Sequence, residues 1–161
     1  MFKSIKKRLK DQRGLTLVEL LAVIVILGII AGIAVPNIGG IIDNSKKDAH
    51  VANAQQMVSA ARLAVASNET LQTGIAYLPL AYLEGQNFLE TVEDPDNGSY
   101  NKGSNAYATT GFDGSAATSY VKVDSGKVIM VKIVNGTRGV QTSSKVGVAP
   151  KDLNRSFVIN N

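Results

Sequence analysis

One uncharged apolar stretch near the amino end constrains this chain more than any other feature. Residues 20–42 contain no charged side chain, and this length exceeds the roughly 20 apolar residues that a helix needs to cross a bilayer core. Lysine and arginine precede the stretch at positions 3, 6, 7, 8, 10 and 13, whereas the residues after it mix both signs. Positive charge favours the cytoplasmic side, so we expect a cytoplasmic amino end and an exterior location beyond about residue 43.

The net positive charge of the chain is concentrated at its amino end. The formal net charge is +4, and the basic residues before position 14 account for it, so the remainder is close to neutral. This distribution argues against a nucleic-acid-binding face. The chain has no cysteine and one histidine, with neither a nucleophile motif nor a glycine-rich phosphate loop. We therefore assign no enzymatic activity and no cofactor from the sequence.

Three interpretations compete for the apolar stretch. A secretory signal peptide fits poorly, because its apolar region is about 7 to 15 residues long and ends at a small-residue cleavage site. A plain signal anchor fits the hydropathy but gains nothing from Glu19, which stands among leucine and valine. An unpaired carboxylate there costs a few kcal/mol unless it reaches the headgroup boundary or a cation. A more specialised segment is the third interpretation.

The stretch also contains residues that weaken a helix. Gly28 and Gly32 are poor helix formers, and Pro36 removes the hydrogen bond that its amide would give to residue 32. We therefore predict that the segment from Gly28 to Pro36 unwinds at low cost. The glycine spacing allows another helix to approach closely, although this spacing is common in membrane spans.

Residues 10–21, KDQRGLTLVELL, resemble the prepilin signal of type IV pilins and of the related pseudopilins. In that family a short basic leader ends in glycine, and threonine and glutamate follow at the second and fifth mature positions, here Thr16 and Glu19. Pro36 lies where the family's proline usually lies. Leu15 departs from the phenylalanine that the family most often has at the first mature position.

The resemblance implies a sequence of processing and assembly steps. A membrane prepilin peptidase would cut between Gly14 and Leu15 and methylate the new amino group of Leu15. Glu19 would then pair with the amino end of a neighbouring subunit and set the register of a helical filament, while the softened segment would lose helicity. The implied partners are further copies of the chain, the peptidase, an assembly platform protein with its ATPase, and the membrane that stores the precursor.

The helix is expected to continue beyond the membrane. An apolar stripe at helical spacing predicts packing against a sheet, whereas a solvent-exposed stalk would need no stripe. Fully helical, it would extend roughly 78 Å at 1.5 Å per residue. The stripe comprises Val51, Ala54, Val58, Ala61 and Val65. The predicted segments are a removable leader at 1–14, a hydrophobic helix at 15–44, an amphipathic helix at 45–68 and an extracellular head at 69–161.

The predicted fold class is α+β. A long amino-terminal helix, membrane-spanning in its outer half and amphipathic in its second half, packs against a small antiparallel sheet of three to four strands, as in the pilin fold. Residues 70–117 show no regular pattern, and a tight hairpin joins the first two strands. Strands are predicted at 119–124 and 127–134, around 140–148, and at 157–159.

Four carboxylates near residue 93 form the strongest alternative site. Glu93, Asp94 and Asp96, with Glu90 before them, could offer oxygen ligands to calcium, and some pseudopilins bind calcium in a loop of this general placement. The spacing fits the EF-hand pattern only loosely, so we expect a solvated acidic turn instead. His50 is predicted to lie on the surface, and the four Asn-x-Ser/Thr sequences are interpreted as turn residues.

The resemblance implies a structural subunit, a major pilin, that polymerises into an extracellular filament for adhesion, motility or surface display. The precursor would be a single-pass protein of the cell membrane. Two alternatives remain: a pseudopilin of a type II secretion or competence DNA-uptake machine, and a signal-anchored surface binding protein. Loss of residues 1–14 with an added methyl group indicates the pilin, and an intact leader indicates the anchor.

Overall fold

The computed structural model describes the backbone of residues 2–110 and 118–161 and the side chains of residues 16–110 and 118–161. Its first element is α1 (Phe2–Ser67), a helix that contains Pro36 in its interior. The chain divides into two compact units, Met1–Asp43 and Asn44–Asn161. The second unit comprises the last part of α1 and everything after it, so the predicted head and amphipathic helix belong to one folded body.

The first unit presents exposed apolar side chains over its described residues. Every leucine, isoleucine and valine from Leu17 to Ile42 is 50% to 69% exposed. The helix Thr16–Ser67 is long and apolar enough to cross a membrane by length and composition. Such a surface is stable only against lipid or other apolar protein. The segment from Gly28 to Pro36 is helical in this structure, and its proposed softness concerns the assembled state.

In the second unit, the predicted stripe on α1 faces the core. Ala54, Val58, Ala61 and Val65 are buried, and Val51 is half-buried. Met57 and Ala64 widen the buried face, as expected for a helix that covers a sheet rather than a single partner helix. The predicted end of the helix at residues 67–68 is confirmed at Ser67.

Within the described residues, the sheet has five antiparallel strands in sequence order. Neighbouring strands in the chain are thus neighbours in the sheet, although the connections from the first to the second and from the fourth to the fifth strand are long. Valines at 121, 123 and 131 are fully buried and belong to the same apolar core as α1. The strands are β1 (Ile75–Pro79), β2 (Tyr120–Asp124), β3 (Lys127–Val134), β4 (Arg138–Val140) and β5 (Val158–Asn160), and a short helix α2 (Leu80–Gly85) follows β1.

The predicted class is confirmed, but the strand count was too low. Residues 70–117 were expected to lack regular structure, yet they contain β1 and α2; residues 111–117 of the predicted loop lie outside the described residues. β1 pairs with β2, a contact across some forty residues that no local pattern reveals. The third predicted strand is shorter than expected, because it ends at Val140, whereas Val148 forms an isolated bridge to Val131.

Candidate functional site

The residues singled out in the amino-terminal segment all lie on α1. Glu19 is exposed, and Gly14 and Leu15 lie where side chains are outside the described residues. A Cβ added at Gly28 or Gly32 would meet nothing within 4 Å in the described part of the chain. Packing within the protomer therefore does not require these glycines. Their small size can matter only for backbone flexibility or for contact with another molecule.

A second group of residues forms a buried polar cluster, which we call the latch: Lys46, His50, Asn53, Asp94, Asp96, Tyr100, Asn135 and Arg138. It joins α1, the loop at residues 93–100 and the β3–β4 turn. His50 is fully buried, so its predicted surface location is wrong. It stands one helical turn before Ala54, on the same face, and extension of the stripe by one turn would have predicted its burial.

The hydrogen bonds of His50 define which nitrogen carries its proton. Nε2 lies 3.0 Å from Asp96 Oδ2, and Nδ1 lies 2.7 Å from the Tyr100 hydroxyl. The carboxylate can only accept, so Nε2–H donates to it. Asn53 Nδ2 donates to the same Tyr100 oxygen at 2.9 Å, which leaves the phenol proton for Nδ1. In this arrangement Nδ1 accepts the hydrogen bond from the Tyr100 hydroxyl.

Asp96 is the most heavily bonded carboxylate of the latch. Arg138 Nε donates to its Oδ2 at 2.7 Å and a terminal guanidinium nitrogen donates to Oδ1 at 2.5 Å. Asn135 donates to Oδ2 at 3.2 Å, and Lys46 Nζ lies 3.6 Å from Oδ1. The hydrogen bonds from Arg138 hold the pKa of Asp96 well below its usual range, although burial opposes this effect.

Asp94 is held by a different group. Asn135 Nδ2 donates to both of its oxygens, at 2.8 and 2.9 Å. The other end of the same amide, Oδ1, accepts from the backbone N–H groups of Thr137 and Arg138. Asn135 therefore orders the β3–β4 turn and presents its amide to the carboxylates. Burial raises the pKa of Tyr100, so this phenol stays protonated near neutral pH.

The prediction of a solvated acidic turn is wrong for Asp94 and Asp96. The Asp94 and Asp96 side chains are 0% and 11% exposed, whereas Glu93 is exposed and contributes its backbone carbonyl to Asn53. Asp94, Asp96 and His50 place ligand atoms within 4.8 Å of one another. Because Arg138, Asn135 and His50 already satisfy these oxygens, a cation would have to displace hydrogen bonds. Calcium binding by Glu93, Asp94 and Asp96 stays a prediction.

Sequence reasoning missed Asn135 and Arg138 as members of the latch. Asn135-Gly136 indicated only a turn, and Arg138 carried no motif. Both reach the acidic loop because β3 and β4 are hydrogen-bonded to each other, which places the turn beside residues about forty positions earlier. Within the described residues, the latch has no open nucleophile. Its hydrogen bonds and ion pairs connect the helix, the loop and the turn, which is a structural arrangement.

Comparison with known protein families identifies one match, to the prokaryotic N-terminal methylation motif, over residues 9–35. Searches of curated proteins and of solved structures give no match. The matched residues include the end of the basic leader, residues 9–14, together with Glu19 and most of the exposed apolar stretch. The chain therefore carries the type IV prepilin-type signal, which supports a type IV pilin-like or pseudopilin-like protein.

Proposed function

We propose that this protein is a structural subunit of the type IV pilin kind, which polymerises after cleavage into an extracellular helical filament. The observation that carries the proposal is the methylation motif at residues 9–35 on a helix whose apolar side chains are exposed. A motif of this type points to a structural protein. The apolar helix fits a membrane-anchored precursor.

Processing is the first step of the proposal. A prepilin peptidase cuts after Gly14 and methylates Leu15, which removes the basic leader that would hold this end in the cytoplasm. The new amino group has a reference pKa of about 7.7 to 8.0 and is cationic near neutral pH. An assembly platform protein and its ATPase then extract the subunit from the membrane.

Assembly depends on Glu19 in this proposal. Its carboxylate pairs with the amino group of Leu15 on a neighbouring copy, and an unpaired charge in the apolar filament interior is costly, so misplaced subunits are penalised. Unwinding between Gly28 and Pro36 adjusts the helix to its neighbours. Adhesion, motility or surface display is the role of such a filament, and a short pseudopilus for secretion or DNA uptake is the second candidate.

Two measurements test the proposal on material from the native host. The mass of the mature protein should correspond to loss of residues 1–14 and gain of one methyl group; an intact leader would instead indicate a signal-anchored protein. Glu19→Ala should be inserted and processed normally yet give little sheared filament, whereas Glu69→Ala, an exposed glutamate of the head, should assemble normally. Electron microscopy separates long pili from a short pseudopilus.

A further inference from the structure

The sequence contains two Asn-Gly pairs, Asn97-Gly98 and Asn135-Gly136. An asparagine before a glycine is chemically labile in water, because glycine has no side chain to hinder attack of its backbone nitrogen on the preceding side-chain amide. The two pairs contain the same reacting groups, so a large difference between their reactivities must come from the fold. Each pair therefore serves as a control for the other.

Asn135 is held at both ends of its side-chain amide. The residue is only 1% exposed. Its Nδ2 donates to the two buried carboxylates of the latch, and its Oδ1 accepts from two backbone N–H groups of the β3–β4 turn, both at 2.7 Å. Attack on Cγ of Asn135 requires this amide to rotate, which would break these hydrogen bonds and open the latch. The reaction at Asn135 therefore has to wait for local unfolding.

Asn97 is in the opposite situation, although it belongs to the loop that supplies the latch carboxylates. Asn97 and Gly98 are both exposed. Within the described residues, neither the Asn97 side chain nor the backbone N–H of Gly98 forms a hydrogen bond. Both reacting groups are therefore in contact with water, and rotation of the Asn97 side chain breaks no hydrogen bond.

We propose that Asn97 is a site of spontaneous deamidation in the folded protein, and that the latch protects Asn135 from the same reaction. In this reaction the backbone nitrogen of Gly98 loses its proton and bonds to Cγ of Asn97, and the side-chain amide leaves as ammonia. One water molecule then opens the succinimide ring, which gives aspartate or isoaspartate at position 97. No oxidant or reductant takes part.

The product weakens the latch through the loop that both share. Asn97 lines a groove of about 370 Å³ together with Glu93 and Asp94, so a new carboxylate adds like charge beside Asp94, whose side chain is fully buried. Isoaspartate also inserts a methylene group into the backbone of this loop, which has to hold Asp96 and Tyr100 at hydrogen-bonding distance from their partners. We expect the deamidated protein to melt about 2–8 °C below the parent protein.

Peptide mapping by mass spectrometry tests the proposal on the full chain in detergent. After incubation at mildly alkaline pH, deamidation at Asn97 should exceed that at Asn135 by at least about tenfold, because Asn135 reacts only from an opened state. In urea, where both pairs are unfolded, the two rates should agree within about threefold. Equal rates in the folded protein, or a rate at Asn97 that urea accelerates as strongly as the rate at Asn135, would overturn the proposal.

A second measurement tests the effect on the latch. Asn97→Gly suits the left-handed backbone of this position, where φ is +61°, and has no amide to lose. Its melting temperature should stay constant during the incubation, whereas that of the parent protein should fall as deamidation accumulates. Asn97→Asp supplies the charge without the added methylene group and so separates the two effects. A parent melting temperature that stays constant while Asn97 deamidates contradicts the expected weakening of the latch.

Discussion

Replacement of Asp96 by asparagine isolates the charge at the centre of the latch. The side chain keeps its shape, but Arg138 loses the carboxylate that its guanidinium contacts at 2.7 and 2.5 Å. Both side chains are only 11% exposed, so water compensates little. Removal of one partner from a buried ion pair destabilises a protein by about 3–5 kcal/mol. Total stabilities are about 5–15 kcal/mol, so the effect is large.

The melting temperature of the head should therefore fall substantially. For domains of this size, 1 kcal/mol changes the midpoint by a few degrees, which gives a decrease of roughly 10–25 °C. All five tyrosines lie in the second unit, so the tyrosine circular dichroism of the full chain in detergent reports on this unit. Asp96→Asn combined with Arg138→Met should recover part of the loss, because the double variant removes the uncompensated charge.

Asp48 provides a matched control for this experiment. It also forms a bidentate ion pair with an arginine, Arg155, but the two side chains are 55% and 46% exposed. Exposed pairs of this kind contribute little, so Asp48→Asn should leave the midpoint nearly unchanged. Equal shifts in Asp48→Asn and Asp96→Asn, or no shift in either, would refute the argument that burial makes the Asp96–Arg138 pair important.

Three further predictions concern the same folded unit. Because the pKa of Asp96 is lowered on folding, its stabilising contribution is fully present above the unfolded pKa of about 3.9 and is lost progressively as the pH falls from that value toward the much lower folded pKa. The difference in melting temperature between parent and Asp96→Asn should therefore shrink steadily below about pH 4, and a constant difference would contradict this. Tyr100→Phe removes the donor to His50 Nδ1 and the acceptor of Asn53. It should lower the free energy of unfolding in urea by about 1–3 kcal/mol. An unchanged unfolding midpoint would contradict the assigned hydrogen bonds. A Cβ at Gly139 would overlap the Ile133 carbonyl and lie 2.7 Å from Val134 Cα, but one at Gly136 would meet nothing within 4 Å. Gly139→Ala should therefore lower the free energy of unfolding by about 1–3 kcal/mol or more, whereas Gly136→Ala should not.

Local patterns in the sequence were sufficient for much of this fold. The end of α1, its buried stripe, and the β2–β3 hairpin follow from periodicity and turn residues, whereas α1 begins at Phe2, inside the predicted leader. β3 was predicted with its observed bounds, Lys127–Val134, because a run rich in β-branched residues lies between clear turn signals. β1 could not be predicted in the same way, since Ile75–Pro79 ends in proline and acquires its strand conformation by pairing with β2.

The latch shows where sequence reasoning fails for a physical reason. The sequence shows its carboxylates and its histidine. Whether Asp96 is solvated or buried depends on Arg138, which belongs to β4. The sequence of an acidic run does not distinguish solvated carboxylates from buried, paired ones. The amino-terminal signal differs from the latch, because the spacing of its residues along one helix is sufficient to identify it. Glu19 and Pro36 could therefore be singled out without any knowledge of the fold.

The latch also addresses a problem that the alanine-rich stripe of α1 creates. Ala54, Ala61 and Ala64 permit close packing but present similar small surfaces at successive turns, so apolar contact alone distinguishes weakly between registers one turn, about 5.4 Å, apart. His50 has partners of fixed position on both ring nitrogens, and a shift of one turn would leave it and Asp96 buried without them. We infer that the latch sets the register of α1 on the sheet. In Asp96→Asn, amide exchange should then accelerate around residues 50–58 at temperatures where the parent is protected, and unchanged protection there would mean that the stripe sets the register unaided.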